Sequence, residues 1–435
     1  MTAGAFAGLA PCVHCGFCLQ SCPTYLVTGD EADSPRGRIL LLRALEHGEL
    51  PPHDRALIHH VDRCLGCRAC EPVCPSGVSY APALEEARRR FAEVRPTPAA
   101  VRLVLTVMAE PLVRAPLLAL ARLVRPVATP LARMLGATRV GFLAGMLAAT
   151  NGSDRRIGGS AGRRGAGPAG LGLDRALSRS TEPPTRRSAV IFRGCIMDGL
   201  FSHVHRATAR TLAVNGYTLV AAPGQTCCGA LHAHAGFEED ARALARRNVA
   251  ALGRAGADRI VVNAAGCGAA LKEYGRLLAG DPLEPAARAV AARVRDVTEA
   301  LAETGPRPGA PVPLSVAYDP PCHLLHAQRI THEPLAVLDA VPGLRRVPLD
   351  EAELCCGSAG SYSLSEPELS REIIARKVAA IERANPDVVA TGNPGCVMQI
   401  GAGLRTRGLA IPVVHPVEIL DQSYRAAGLL ARAES

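Results

Sequence analysis

The stretches Cys12-Val-His-Cys15-Gly-Phe-Cys18-Leu-Gln-Ser-Cys22-Pro23 and Cys64-Leu-Gly-Cys67-Arg-Ala-Cys70-Glu-Pro-Val-Cys74-Pro75 repeat one spacing, Cys-x2-Cys-x2-Cys-x3-Cys-Pro. Working outward, residues 1–94 hold eight of the 16 cysteines, residues 95–187 hold none, and residues 188–435 hold the other eight. With 435 residues, 48% of them hydrophobic and 20% charged, the chain has the composition of a globular protein of two or three domains, which excludes wholesale disorder. The few residues before Cys12 lack the charged start and apolar core of a secretion signal, so a cytoplasmic location is expected. There the cysteines stay reduced, and metal thiolates or redox chemistry are expected in place of a disulfide framework. The charge-free stretch 140–151 is well short of a bilayer span, and no transmembrane helix is expected.

The two runs have the spacing of bacterial two-cluster ferredoxins. Three closely spaced thiolates wrap one corner of a 4Fe-4S cube, and the fourth cysteine of each run reaches the other cube. That rule predicts one cluster on Cys12, Cys15, Cys18 and Cys74, and a second on Cys64, Cys67, Cys70 and Cys22. A pair of zinc sites is the competing reading, but zinc sites favour two-plus-two spacing. The long gap between the runs contains helical patterns at 38–46 and 54–62, so a mostly helical two-cluster domain is expected. Two clusters in tandem form a wire, which needs a donor and an acceptor. The chain offers no convincing flavin or nicotinamide site, so hydride chemistry belongs on a partner.

The remaining cysteines reveal an internal repeat. Cys195, Cys227-Cys228 and Cys267 recur as Cys322, Cys355-Cys356 and Cys396, at offsets of 127, 128 and 129 residues, and Gly229/Gly357 and Gly266/Gly395 recur with them. Strand-like runs at 189–192, 218–221 and 259–263 alternate with helical patterns at 203–214 and 238–252. The second unit repeats this with strands at 314–318, 344–349 and 388–391 and helices at 333–340 and 366–384. The alternation predicts parallel βαβ units, with every cysteine group just past the carboxyl end of a strand, where ligands of open α/β sheets gather. Four thiols should therefore converge in each unit. They suit an iron-sulfur cluster, a tetrahedral zinc or, at the vicinal pair, a thiol redox couple. Of the nearby histidines His203, His205, His232, His234, His323 and His326, most are expected to lie on the surface or beside the ligands; His323 follows Cys322, but Ile196 stands in the matching place of the first unit.

Between these zones, helical pieces are expected at 99–109, 117–124 and 130–135, followed by a Gly/Ser/Arg-rich linker. The zone 95–187 holds 15 Arg against four acids, which leaves the rest of the chain at −2 of the total +9. Only Lys272 and Lys377 are lysines and no aromatics interleave, so nucleic-acid binding is not expected. Gly165, Gly167 and Gly170 match a dinucleotide fingerprint without a preceding strand, and Asn151-Gly-Ser153 spells a glycosylation site; both are read as chance. The resulting division is 1–94, 95–187, 188–308 and 309–435, an α+β multidomain chain with a helical ferredoxin-like start and two α/β cysteine-rich units.

The N-terminal runs, with Asp33-Ser-Pro-Arg-Gly-Arg38 and Cys74-Pro-Ser-Gly-Val78, and later Asp319-Pro-Pro-Cys-His-Leu324 and Leu354-Cys-Cys-Gly-Ser-Ala-Gly360, resemble the iron-sulfur subunit of bacterial glycolate oxidase. The resemblance implies an electron-transfer subunit with no catalytic residue of its own, working beside FAD-binding subunits that oxidise glycolate to glyoxylate. Electrons would pass towards a quinone or other acceptor, with peripheral membrane association. The repeats resemble the CCG cysteine-rich domains also found in heterodisulfide reductase, lactate-utilisation proteins and anaerobic glycerol-3-phosphate dehydrogenase; an equivalent role in one of those complexes is the alternative. The last cysteine of the Cys-x-x-Cys ending of such domains is replaced by Ala270 and Gln399, which implies four-thiol sites.

Because its composition favours disorder, deletion of residues 152–182 is expected to leave cluster absorbance unchanged; loss of absorbance in the shortened chain would refute that reading.

Overall fold

A computed structural model describes residues 4–136, 138–151 and 187–430. The linker with its glycine motif, and all but Asn151 of the glycosylation match, lie outside the described residues.

The N-terminal part is helical, with Pro23–Thr28, Pro35–His47, Arg55–Asp62 and Ala81–Val94 around a core that includes Leu42, Leu57, Leu84 and Phe91. Two starts are set by side-chain caps. Ser34 Oγ accepts from the Gly37 N–H at 3.0 Å and Asp54 Oδ1 accepts from the Leu57 N–H at 2.8 Å, each filling a donor the first turn leaves open. Between these helices Asp33 is wholly buried. Arg63 (2.6 Å), His60 (3.0 Å) and the buried Arg38 (3.4 Å) surround its carboxylate.

In the middle zone Ala99–Ala109 forms as expected. The two following pieces are instead one 25-residue helix, Pro111–Leu135, and Arg139–Ala149 adds another. Pro116, Pro126 and Pro130 lie inside the long helix. Each removes one backbone donor, but the carbonyls left over belong to Leu112, Arg122 and Pro126, all exposed to water. This helix is longer and more apolar than the charge-free runs suggested: an 18-residue window within it has a mean hydropathy of 1.2, enough to span a membrane by length and composition alone. Searching for charge-free runs misses it, because isolated arginines interrupt an otherwise apolar segment.

The second half contains two sheets of four parallel strands. The first runs in the order β2-β1-β3-β4, with β1 Arg187–Ile191, β2 Tyr217–Leu219, β3 Arg259–Val262 and β4 Val294–Asp296. The second repeats it as β6-β5-β7-β8, with β5 Ser315–Tyr318, β6 Arg345–Val347, β7 Val388–Ala390 and β8 Val413–Val414. The central strands are covered on both faces, so Ile260, Val261 and Val262 and all of β7 are buried. Registers match across the repeat: Ala189 faces Arg259 as Val316 faces Val388. The units share one apolar core that contains Ala189, Val261, Val316 and Val388. Helices Ser202–Val214 and Pro416–Ala426 join them, Arg210 gripping Asp421 through two bonds of 2.7 and 2.8 Å.

Replacing Asp33 by Ala leaves Arg38 buried beside Arg63 without its counter-charge. The variant is expected to lose about 3–5 kcal/mol of stability, checked by anaerobic denaturant unfolding; a loss below 1 kcal/mol would mean the network is dispensable.

Candidate functional site: sixteen thiols in four groups

All sixteen cysteines lie among the described residues and none is in a disulfide. The two N-terminal loops wind alike. Left-handed backbone occurs at His14 and Gly16 in the first and at Gly66 and Arg68 in the second, the same two places after the leading cysteine. These turns coil the loop so that sulfurs two residues apart face one centre. In one loop glycine takes the second position and in the other the first, so His14 and Arg68 carry the strain that glycine would avoid.

One cavity, of about 370 Å³, is lined by Cys22, Cys64, Cys67 and Cys70 together with Arg38 and Tyr80. Another, of about 440 Å³, is lined by Cys12, Cys15, Cys18, Cys70 and Cys74. Each cavity thus brings three sulfurs of one run together with the last sulfur of the other, and Cys70 lines both. Cys22 also stands at the N-cap position of the helix Pro23–Thr28, so the loop passes straight from its last sulfur into a helix. These donor sets, four soft sulfurs around a largely apolar hollow, fit an iron-sulfur cluster.

Arg38, 1% exposed, places its guanidinium against this first cavity. Its Nη1 lies 3.9 Å from Cys22 Sγ and donates to Thr24 Oγ1 at 3.0 Å, while its Nε donates to the His60 carbonyl at 2.6 Å. The Asp33–Arg38 motif therefore holds a fixed positive charge beside the thiols of this cavity. Sequence reading had no role for it.

In the first cysteine-rich unit the thiols form a chain of neighbours: Cys195 with Cys227, Cys227 with Cys228, and Cys228 Sγ 3.3 Å from Cys267 Sγ. The second unit repeats it, with Cys322 Sγ 3.9 Å from Cys355 Sγ, Cys355 beside Cys356, and Cys356 beside Cys396. Hydrogen bonds from Cys322 and Cys356, with the Gly357 N–H, hold the Cys355 thiol well below its ordinary range. The backbones are pinned from behind. Asn248 donates to the Cys227 carbonyl at 2.8 Å and Tyr274 OH to the Cys228 carbonyl at 2.9 Å. In the second unit the buried Lys377 lies 2.9 Å from buried Asp319 and donates to the Ala352 carbonyl at 2.7 Å, two residues before the Leu354-Cys-Cys turn. Lys377 was legible only as an oddity, one of two lysines among 49 basic residues.

The tertiary structure then joins the halves. Leu65, Cys67 and Ala69 share an apolar cluster with Cys355, Tyr362 and Ile373, and Tyr362 OH donates to the Arg63 carbonyl at 2.9 Å. A third cavity, of about 750 Å³, opens between the second N-terminal loop and both units, lined in part by Gly66, Arg68, Cys228, His234, Glu273 and His323. Of the six histidines, His323 touches a thiol, its Nδ1 lying 3.5 Å from Cys322 Sγ, and its ring lies 5.5 Å from that of His234. Three others serve the scaffold: His205 binds the Arg193 carbonyl at 2.9 Å, His326 the Glu353 carbonyl at 3.1 Å, and His203 lies 3.5 Å from Glu418. His232 is buried among the helices.

This architecture, a helical domain with two thiol-lined cavities followed by duplicated cysteine-rich sheets, defines an iron-sulfur electron-transfer protein. Residues 8–78 match the family described as "4Fe-4S dicluster domain", and residues 189–272 and 316–401 each match "Cysteine-rich domain" (CCG). The chain is 33% identical over 431 residues to the "Probable glycolate oxidase iron-sulfur subunit" of Bacillus subtilis (strain 168), covering 97% of this chain and 94% of the relative. It is 33% identical over 430 residues to the "Glycolate oxidase iron-sulfur subunit" of Escherichia coli (strain K12), covering 95% and 94%. The "Lactate utilization protein A" of Geobacillus thermodenitrificans (strain NG80-2) is 31% identical over 234 residues, 53% of this chain and 97% of the relative. The chain belongs to the family of glycolate oxidase iron-sulfur subunits and is an iron-sulfur electron-transfer subunit of a dehydrogenase.

Removing the positive charge at Arg38 disfavours the more negative, reduced form of a neighbouring cluster. Arg38→Met is therefore expected to lower that cluster's reduction potential by on the order of 50–100 mV, and Arg38→Lys by less; potentiometric titration followed by electron paramagnetic resonance measures both, and an unmoved potential sinks the assignment.

Proposed function

We propose that this chain receives electrons from an FAD-bearing partner subunit that oxidises glycolate to glyoxylate, and delivers them towards a quinone or other acceptor. Glycolate gives up two electrons and two protons; this chain's part is to carry the electrons singly, the chemistry iron-sulfur clusters supply. The carrying observation is the mixing of thiols: each hollow brings three sulfurs of one run together with the last sulfur of the other, the second hollow also reaching Cys70, in a chain that aligns nearly end to end with glycolate oxidase iron-sulfur subunits. Glycolate is preferred to lactate because the lactate-utilisation relatives align with only about half of the chain, 53% in the case described.

In this reading Cys12, Cys15, Cys18 and Cys74 hold one 4Fe-4S cluster, and Cys22, Cys64, Cys67 and Cys70 the other. Residues 1–94 are the cluster domain, 95–187 connect it, and 188–308 and 309–435 are the two cysteine-rich units. Zinc suits the four thiols of each unit by number and softness. The shared apolar cluster of Cys67 and Cys355 supports a further iron-sulfur centre on Cys322, Cys355, Cys356 and Cys396, since a redox centre there would lie beside the second N-terminal thiol group. The corresponding set Cys195, Cys227, Cys228 and Cys267 is assigned the same way by the repeat. The chain works in the cytoplasm, beside a membrane that holds the acceptor.

Cys15→Ser is expected to remove one cluster, about four iron atoms per chain, and to stop transfer to the acceptor while substrate still reduces the flavin of the complex. Iron and labile-sulfide analysis with quinone-linked turnover tests this; unchanged turnover contradicts it.

A further inference from the structure

The exposed face of Pro111–Leu135 has no role in any of this chemistry. At about 1.5 Å per residue the helix is roughly 37 Å long. Successive side chains turn by about 100°, which sorts them into three arcs. Arg114, Leu118, Ala128 and Ala132 are buried and form a seam against the protein. That seam is tight: Leu118 lies so close to Gly199 that a Cβ there would clash. Away from it, Leu112, Leu117, Leu120, Leu123, Val127 and Met134 crowd an arc of about 140° and are exposed, Leu112 by 89%, Leu123 by 76% and Met134 by 75%. Along the far edge of this arc stand Arg122 and Arg133, both exposed.

Soluble proteins seldom leave so long an apolar stripe uncovered. Its chemistry distinguishes the cover. From Pro111 to Ala149 there are five arginines and no Asp or Glu. The stripe itself is aliphatic, without the Tyr or Trp anchors that dominate protein–protein contacts. Aliphatic side chains with a flank of arginines match the boundary between acyl chains and anionic headgroups, where hydrocarbon needs no shape complementarity and the guanidiniums reach up to phosphate. Because the seam holds the helix against Gly199 of the first cysteine-rich unit and against the helix Arg139–Ala149, the helix lies along such a surface and does not cross it. We propose that this face docks the chain on an anionic lipid surface, the helix flat in the interface. The proposal rests on the functional reading in one respect, that the acceptor is in a membrane; its test does not depend on turnover.

The full-length chain, reconstituted anaerobically, is floated with vesicles of phosphatidylcholine alone or mixed with phosphatidylglycerol. The expected result is flotation with the anionic vesicles, weakened roughly tenfold on neutral ones or in about 1 M salt. Arg122→Glu with Arg133→Glu should cut binding to anionic vesicles roughly tenfold. Leu120→Asp with Leu123→Asp should cut binding to both vesicle types by at least about tenfold. Cluster absorbance should be unchanged in both variants, which shows that they fold. Failure of the wild-type chain to float on anionic vesicles, or variants that float like it, overturns the proposal. So does a leucine variant that loses flavoprotein subunits from the complex while still floating, since the face would then be a protein interface. A chain that floats but carries no cluster overturns the electron-transfer reading and leaves the docking face supported.

Discussion

Cys22 lies in the hollow formed by Cys64, Cys67 and Cys70, while Cys74 lies in the one formed by Cys12, Cys15 and Cys18. This exchange of one sulfur in each direction ties two loops some forty residues apart in sequence into a single unit. The helices around them follow from it. Pro23–Thr28 begins at the exchanged Cys22, and Ala81–Val94 leaves shortly after Cys74, so both enter the core at positions set by sulfur. Burial alone would not hold this part together so specifically, because many apolar packings of the same helices are comparable in energy, whereas four sulfurs around one centre admit few.

The price of such a site is charge. Clustered thiolates in a low dielectric repel one another unless positive charge or hydrogen bonds oppose them. The protein meets this differently in its two halves. Beside the N-terminal thiols it buries a whole guanidinium, Arg38, and anchors it with Asp33 and the His60 carbonyl. In the second unit Lys377 takes the comparable place, paired to Asp319 and fixed to the backbone ahead of the Cys-Cys turn. In the first unit neutral groups, Asn248 and Tyr274, hold the same turn. The duplication thus kept the sulfur geometry while the polar support diverged, which gives the two sites different electrostatic surroundings.

Much of the fold was legible because its signals are local. Spacing identified the thiol runs, the repeat and the parallel strands. The fourth strand of each sheet was not found, since β4 reads Val-Arg-Asp with a single apolar residue and β8 is only two residues long. The long middle helix was divided at prolines that would normally end it, because sequence does not reveal that Leu112, Arg122 and Pro126, whose carbonyls they leave without a partner, are exposed residues. The Asp33 network was also invisible: His60 and Arg63 are distant in sequence, and nothing but folding shows that Asp33 is buried between them.

By itself the sequence determined how the sulfurs are spaced along the chain, in two runs of four and a repeated set of four, since the spacing of neighbours limits what they can share. Only the tertiary structure decided how those groups stand to one another. Cys67 and Cys355 are separated by most of the chain, yet they occupy one apolar cluster because two helical loops and a sheet edge bury their surfaces together. That proximity results from packing summed over hundreds of residues, which no local pattern encodes.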